Sequence, residues 1–196
     1  MQYKTTTNIF LVCLLLQIIQ SLFPHFINFQ ALQLSDLIQL HTIPRFLMAI
    51  LMHMFSHAGW NHMWSNFSIG LPCMLYMEHK LGSKMLSFYV IMGLGALGIA
   101  LLMPIPMDSL IGSSGAIFGC LAASCLAYPN RKLGMLVLFL WLVPELMALS
   151  ISLLGGNVSH SAHLGGALAA IMYYHILGLP RKSNDSRRHH KAMRRV

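Results

Sequence analysis

The sequence predicts an all-α membrane protein: a bundle of six transmembrane helices with a short fourth helix and a partly embedded first loop. Three observations predict it. Of the 196 residues, 56% are hydrophobic and only 9% are charged, against about 25% charged in an ordinary soluble domain. Apolar runs near the roughly 20 residues a helix needs to cross about 30 Å of hydrocarbon recur along the whole chain. The basic residues sit in short stretches flanking those runs, which is the pattern of membrane anchoring and orientation. The formal net charge of +8 therefore argues for a lipid bilayer as partner and against nucleic acid.

The expected spans cover residues 9–27, 60–77, 85–103, 112–128, 133–154 and 162–179. They form one membrane domain over 1–179, followed by a basic, disordered tail over 180–196. Lys4 and the run after it imitate a secretory signal, but no small-x-small cleavage site follows, so a retained first helix is expected. Between spans one and two lies a long, rather apolar loop, in which residues 45–54 are expected to form a helix at or partly in the outer interface. Twelve of the 13 Lys and Arg residues fall in segments on one side of this topology, and only Arg45 falls on the other. The positive-inside rule then puts both termini in the cytoplasm. A compact chain without an organelle presequence fits a bacterial cytoplasmic (inner) membrane. Cys13, Cys73, Cys120 and Cys125 all lie in apolar stretches without zinc-site spacing, and read as small buried hydrophobes.

Polar and ionisable side chains are costly inside a bilayer, so those present are functional candidates. Four stand out: His62 and Asn66 in span two, Ser114 at the start of span four and His163 at the start of span six. Spans two, four and six run in the same direction, with inner ends marked by Lys80, Arg131 and Arg181. His62 is 18 residues from its anchor, Ser114 is 17 and His163 is 18. At 1.5 Å per residue all three lie about 25–27 Å above the cytoplasmic anchors, and Asn66 lies one turn deeper. Three parallel helices thus carry their unusual polar groups in one layer, towards the outer side.

The segment Gly112-Ser113-Ser114-Gly115 follows a loop with Pro104 and Pro106 that cannot be helical throughout. A helix starting at Ser114 has about 15 residues to Tyr128, or roughly 22 Å, too short for the bilayer. Its start must lie within the membrane, where irregular backbone is tolerated only beside protein or water. The sequence therefore predicts a wet pocket with Ser114 at its floor and free N–H groups facing it. Gly115 and Gly119 permit close helix packing, as do the small residues that follow His163. A histidine at hydrogen-bond distance is the usual base that activates a serine. No carboxylate is evidently placed to orient His163, so the expectation is a Ser-His dyad.

Gly-x-Ser-Gly at 112–115, Ala-His-Leu-x-Gly at 162–166 and His-x-x-x-Asn at 62–66 resemble the three motifs of rhomboid intramembrane serine proteases. The approach His57-Ala58-Gly59-Trp60-Asn61-His62 and the stretch Glu78-x-x-Leu81-Gly82-Ser83 resemble the family as well. The resemblance covers the six-span core and omits the tail. It implies Ser114 as nucleophile and His163 as general base and acid. It also implies an oxyanion hole of His62, Asn66 and the Ser114 backbone N–H, with Gly112, Gly115, Phe118 and Gly166 in support. The implied substrates are transmembrane proteins, cut near the outer end of a span without metal or organic cofactor.

Three positions depart from the family pattern. Arg45 lies farther from His57 than the family's loop arginine does from its histidine. Phe118 stands where a tyrosine often stacks on the histidine, and Ala170 replaces a common glycine. Several of these residues admit a second reading. Ser114 alone would suit a helix contact, and His160, expected in the loop before span six, is a rival to His163. His53, His57 and His62 have spacing that suggests a metal, but hydrogen bonds within the first loop account for His53 and His57. Glu145, beside Pro144 in span five, is left without a role. The competing functional class is a non-catalytic binder or escort of membrane proteins.

Overall fold

The computed structural model describes residues 3–26, 32–33, 43–102, 109–152 and 160–178. The basic tail, most of the first loop and the proline loop before Ser109 lie outside the described residues, as does the Arg45 side chain.

The architecture is an all-α bundle. Its helices are α1 (Lys4–Leu22), α2 (Ile43–Met52), α3 (Trp60–Leu81), α4 (Met85–Leu102), α5 (Ser114–Leu126), α6 (Arg131–Ser152) and α7 (His160–Ile176). Three stretches are long and apolar enough to cross a membrane: Lys4–Leu22, Trp60–Leu102 and Arg131–Ser150. The second of these is α3 and α4 together, divided by a 3-10 turn at Gly82–Lys84 where Gly82 takes φ 58°. Apart from the helices, a two-residue antiparallel ladder pairs β1 (Leu32–Gln33) with β2 (Ser109–Leu110), Leu32 opposite Leu110. This ladder ties the first loop to the segment that leads into Ser114.

Several boundaries move from their expected places. Helix α1 begins at Lys4 and ends at Leu22, ahead of Pro24. Helices α3 and α6 run through their basic residues rather than stopping short of them, so Lys80 lies inside α3 and Arg131 opens α6. Pro144 is accommodated within α6. His160, expected in a loop, is the first residue of α7. Helix α5 has only 13 residues, about 20 Å of helix, and is the short fourth helix that the pattern predicts.

The short helix is also the most enclosed. Nine of its 13 residues are buried, which explains why they are small or apolar without a polar face. On α3 and α4 the core is largely methionine, with Met63, Met74, Met77, Met85 and Met92 fully buried; an unbranched thioether fills irregular gaps between helices well. The outward faces are apolar too. Leu136, Phe139, Leu140 and Met147 of α6 are exposed, as are Leu11 and Leu15 of α1. Large contiguous apolar surface on a bundle is what lipid contact requires. On α2, Leu47, Met48 and Leu51 are exposed while Ala49 is buried, an arrangement suited to a helix lying in an interface.

A pair of hydrogen bonds to one carboxylate fixes the end of the bundle where α1 starts. The Glu78 carboxylate, near the end of α3, accepts the Thr5 and Thr6 backbone N–H groups at 2.8 Å each. It thereby satisfies two of the orphan donors at the start of α1 and places a negative charge at the helix N-terminus. Lys4 and Lys80 consequently share one end of the bundle.

Candidate active site

The site forms where α5 starts, between α3 and α7. Helices α5 and α7 approach at backbone contact. A Cβ on Gly166 would collide with the Gly115 carbonyl oxygen, and one on Gly115 would stand 3.3 Å from the Ala162 carbonyl oxygen. Only hydrogen fits at 166 without the helices moving apart. These contacts bracket Ser114 and His163 on the facing helices.

Sequence adjacency hides a division of labour between the two serines. Ser113 is fully buried, and its hydroxyl lies 2.8 Å from His57 Nε2. It also accepts Asn66 Nδ2 at 3.5 Å. Asn66, expected to face an oxyanion beside Ser114, thus turns to Ser113 in this arrangement. Burial, and secondarily the neighbouring His62, pushes the His57 imidazole down to about 3, so it is a neutral ring bonding the first loop to the start of α5. His53 does similar work: its Nδ1 lies 3.2 Å from the Ala49 carbonyl oxygen, and its own carbonyl accepts the Gly112 N–H at 2.8 Å. Ser113 is the N-cap residue but makes no capping bond, its hydroxyl being committed to His57. The first N–H groups of α5 are left available.

Ser114, one residue on, is turned differently and is half-buried. Gly112 takes φ 130°, a conformation reserved for glycine. A Cβ there would stand 3.0 Å from His62 Nε2 and 3.7 Å from Ser114 Oγ. Glycine therefore leaves an open point with the His62 ring on one side and the Ser114 hydroxyl on the other. The Ala58 N–H donates to His62 Nδ1 at 3.4 Å, which leaves Nε2 as the donor in the neutral ring. Beside Ser114 is a cavity of about 10 Å³, bordered by His53, Gly112 and Ala162, at the lower limit for one water.

The larger departure from expectation is at His163. Its Nδ1 lies 2.8 Å from Glu145 Oε2. The Ser-His pair was expected to stand without an acid, and the structure places a carboxylate on the histidine from α6. Phe118, one turn below Ser114 on α5, stacks on the His163 ring at 4.2 Å between centroids and 4° between planes. Trp141 of α6 meets the edge of Phe118 at 6.0 Å. His160 Nδ1 also reaches Glu145 Oε2, at 2.7 Å. Among the described residues neither Ser114 Oγ nor His163 Nε2 has a hydrogen-bond partner, so serine and histidine sit on packed helices without a bond between them. Among the described residues, the group of metal-type ligand atoms within 4.8 Å of one another is Glu145, His160 and His163, not the loop histidines His53 and His57 with His62.

A short, glycine-packed helix enclosed by long apolar helices, with polar side chains gathered at its start, defines a class of integral membrane protein. The chain belongs to the rhomboid family, its residues 44–180 matching the Rhomboid domain. It is 32% identical over 149 residues to Rhomboid-like protein 11, chloroplastic, of Arabidopsis thaliana, an alignment covering 67% of this chain and 53% of that protein. The chain thus spans about half the length of the curated relative it matches.

Proposed function

We propose that the protein is an intramembrane serine endopeptidase that cleaves transmembrane segments, with Ser114 as nucleophile and His163 as general base and acid. One observation carries this reading. His163 is held on two sides, by Glu145 at Nδ1 and by Phe118 across the ring face, on the helix that packs against Ser114. A hydrogen bond from Nδ1–H to a carboxylate fixes the tautomer in which Nε2 is bare and able to accept a proton.

The reaction then runs in two halves. Ser114 Oγ attacks the peptide carbonyl carbon while its proton passes to His163 Nε2. His62 Nε2–H and the Ser114 N–H donate to the developing oxyanion, and Asn66 joins them by exchanging Ser113 for the substrate oxygen. Collapse breaks the C–N bond, and His163 protonates the leaving amine. Water, deprotonated by His163, then hydrolyses the acyl-enzyme and restores Ser114. The serine–histidine hydrogen bond forms on substrate binding, since catalytic contacts commonly tighten only in the complex.

Substrate helices enter sideways between α3 and α6. An apolar cavity of about 380 Å³ opens between these two helices towards their basic ends, lined by Cys73 and Tyr76 of α3, Leu121 of α5, and Leu133 and Val137 of α6, so α3 and α6 are not closely packed below the site. With both termini cytoplasmic, the site lies towards the outer leaflet of a bacterial cytoplasmic membrane. In liposomes containing a single-span substrate protein, the purified chain is expected to produce one cut near the outer end of that span. An intact substrate under conditions where the chain remains folded rejects the assignment. The missing bond between Ser114 and His163 favours a second reading, a non-catalytic binder of membrane proteins; it predicts substrate capture without cleavage.

A further inference from the structure

Glu145, His160 and His163 make a constellation that proteolysis alone does not require. A general base needs one carboxylate contact, and His163 has it. His160 adds a second imidazole nitrogen to the same oxygen, at 2.7 Å. The three residues converge from two helices: His160 and His163 are spaced i, i+3 at the start of α7, and Glu145 follows Pro144 in α6. All three side chains keep 14–19% of their surface accessible, so they are open to an ion from outside the bundle. Among the described residues the charge partners of Glu145 are these two imidazoles alone. A carboxylate set in an apolar helix with two imidazole nitrogens on one of its oxygens offers a cation three ligand atoms at one point.

We propose that Glu145 Oε2, His160 Nδ1 and His163 Nδ1 form a binding site for a divalent transition-metal ion of the zinc type, and that its occupation switches the protease off. Two imidazoles and one carboxylate suit zinc rather than magnesium or calcium, which take oxygen ligands. At Zn–N and Zn–O distances of about 2.0–2.2 Å, tetrahedral ligand atoms stand about 3.3 Å apart. The 2.7 and 2.8 Å separations here need open by only about half an ångström. A fourth position stays free for water.

The inhibitory consequence follows from the proton on the ring and rests on the proposed role of His163. In the metal-free site Nδ1 carries the proton and Nε2 is bare. When Nδ1 gives its lone pair to the metal, the neutral ring must hold its proton on Nε2. No proton is gained or lost, but Nε2 changes from acceptor to donor and cannot take the proton of Ser114. Glu145 is withdrawn from its orienting bond in the same event. His160 serves the metal and has no part in proteolysis.

The test separates binding from activity. Co²⁺ is titrated into the detergent-solubilised Ser114→Ala protein and followed by its visible d–d absorption, with Zn²⁺ displacing it. The expected result is one tetrahedral site per chain, weakened more than about 100-fold by His160→Gln. The glutamine variant keeps a donor for Glu145 and so guards against loss of fold, which circular dichroism checks. In the cleavage assay Zn²⁺ should inhibit the wild-type chain, while His160→Gln should cut at the wild-type rate and resist Zn²⁺ by a similar factor. Absence of saturable Co²⁺ binding, or binding that ignores His160→Gln, overturns the site. Binding that follows the prediction in a chain that never cleaves would sink the protease assignment while leaving the metal site standing.

Discussion

Replacing Ser114 with Ala should lower cleavage of a single-span substrate by more than about 10⁴-fold, since nothing else near the start of α5 can form the acyl-enzyme. Ser113 is the obvious rival, being adjacent and itself beside a histidine. Its hydroxyl, however, is fully buried against His57 and Asn66, where no peptide bond can reach it. Ser114 is half-buried and makes no hydrogen bond among the described residues. Its loss should change stability by no more than about 1 kcal/mol. Turnover by the Ala variant in liposomes, compared with thermal unfolding of the same preparation, separates a chemical from a structural effect. Ser113→Ala should behave oppositely, keeping the nucleophile but loosening the first loop.

Glu145→Gln comes second in expected effect. In the proposed reaction the carboxylate acts through His163 rather than on substrate, which makes it a positioning residue. Glutamine retains the size of the side chain but loses the charge that stabilises the imidazolium formed when Ser114 is deprotonated. Its amide oxygen can stand where Oε2 meets both imidazoles, but only as a neutral acceptor. The expected outcome is a fall in kcat of about 100-fold with KM nearly unchanged, as for a small misplacement of a catalytic group. Glu145→Asp should recover part of the loss if its carboxylate still reaches Nδ1. A Gln variant with unaltered kcat would restore the expected Ser-His pair without an acid. A rise in KM alone would point instead to substrate contact by α6.

How much of this was legible in the sequence depends on what periodicity can encode. The lipid-crossing helices were visible because bilayer thickness sets their length, and α5 was visible as short because the proline loop before it delays its start. The common depth of His62 and Ser114 came from counting residues to basic anchors, which works since rise per residue is fixed. Depth carries no azimuth. Glu145 could be placed in α6 but not on a face, because rotation of that helix against α7 is decided by packing between the two helices, not by spacing. For the same reason His160 and His163, one turn apart, could not be told to share a single carboxylate oxygen. The two serines are a finer case of the same limit. At the first turn of α5 adjacent residues point about 100° apart, so one side chain enters the buried first loop and the next faces the cavity. The anomaly at Glu145, an acid in an apolar span, was the one available signal.

The proposed activity depends most directly on a nucleophilic hydroxyl at position 114 activated from α7. A fluorophosphonate probe applied to the protein in detergent or liposomes, with the adduct mapped by peptide mass spectrometry, measures that reactivity without any knowledge of natural substrate. The expected result is a single adduct on Ser114 that disappears when His163 is replaced by Ala in a folded chain. An adduct on another residue, or a folded wild-type chain that takes no label, would contradict it.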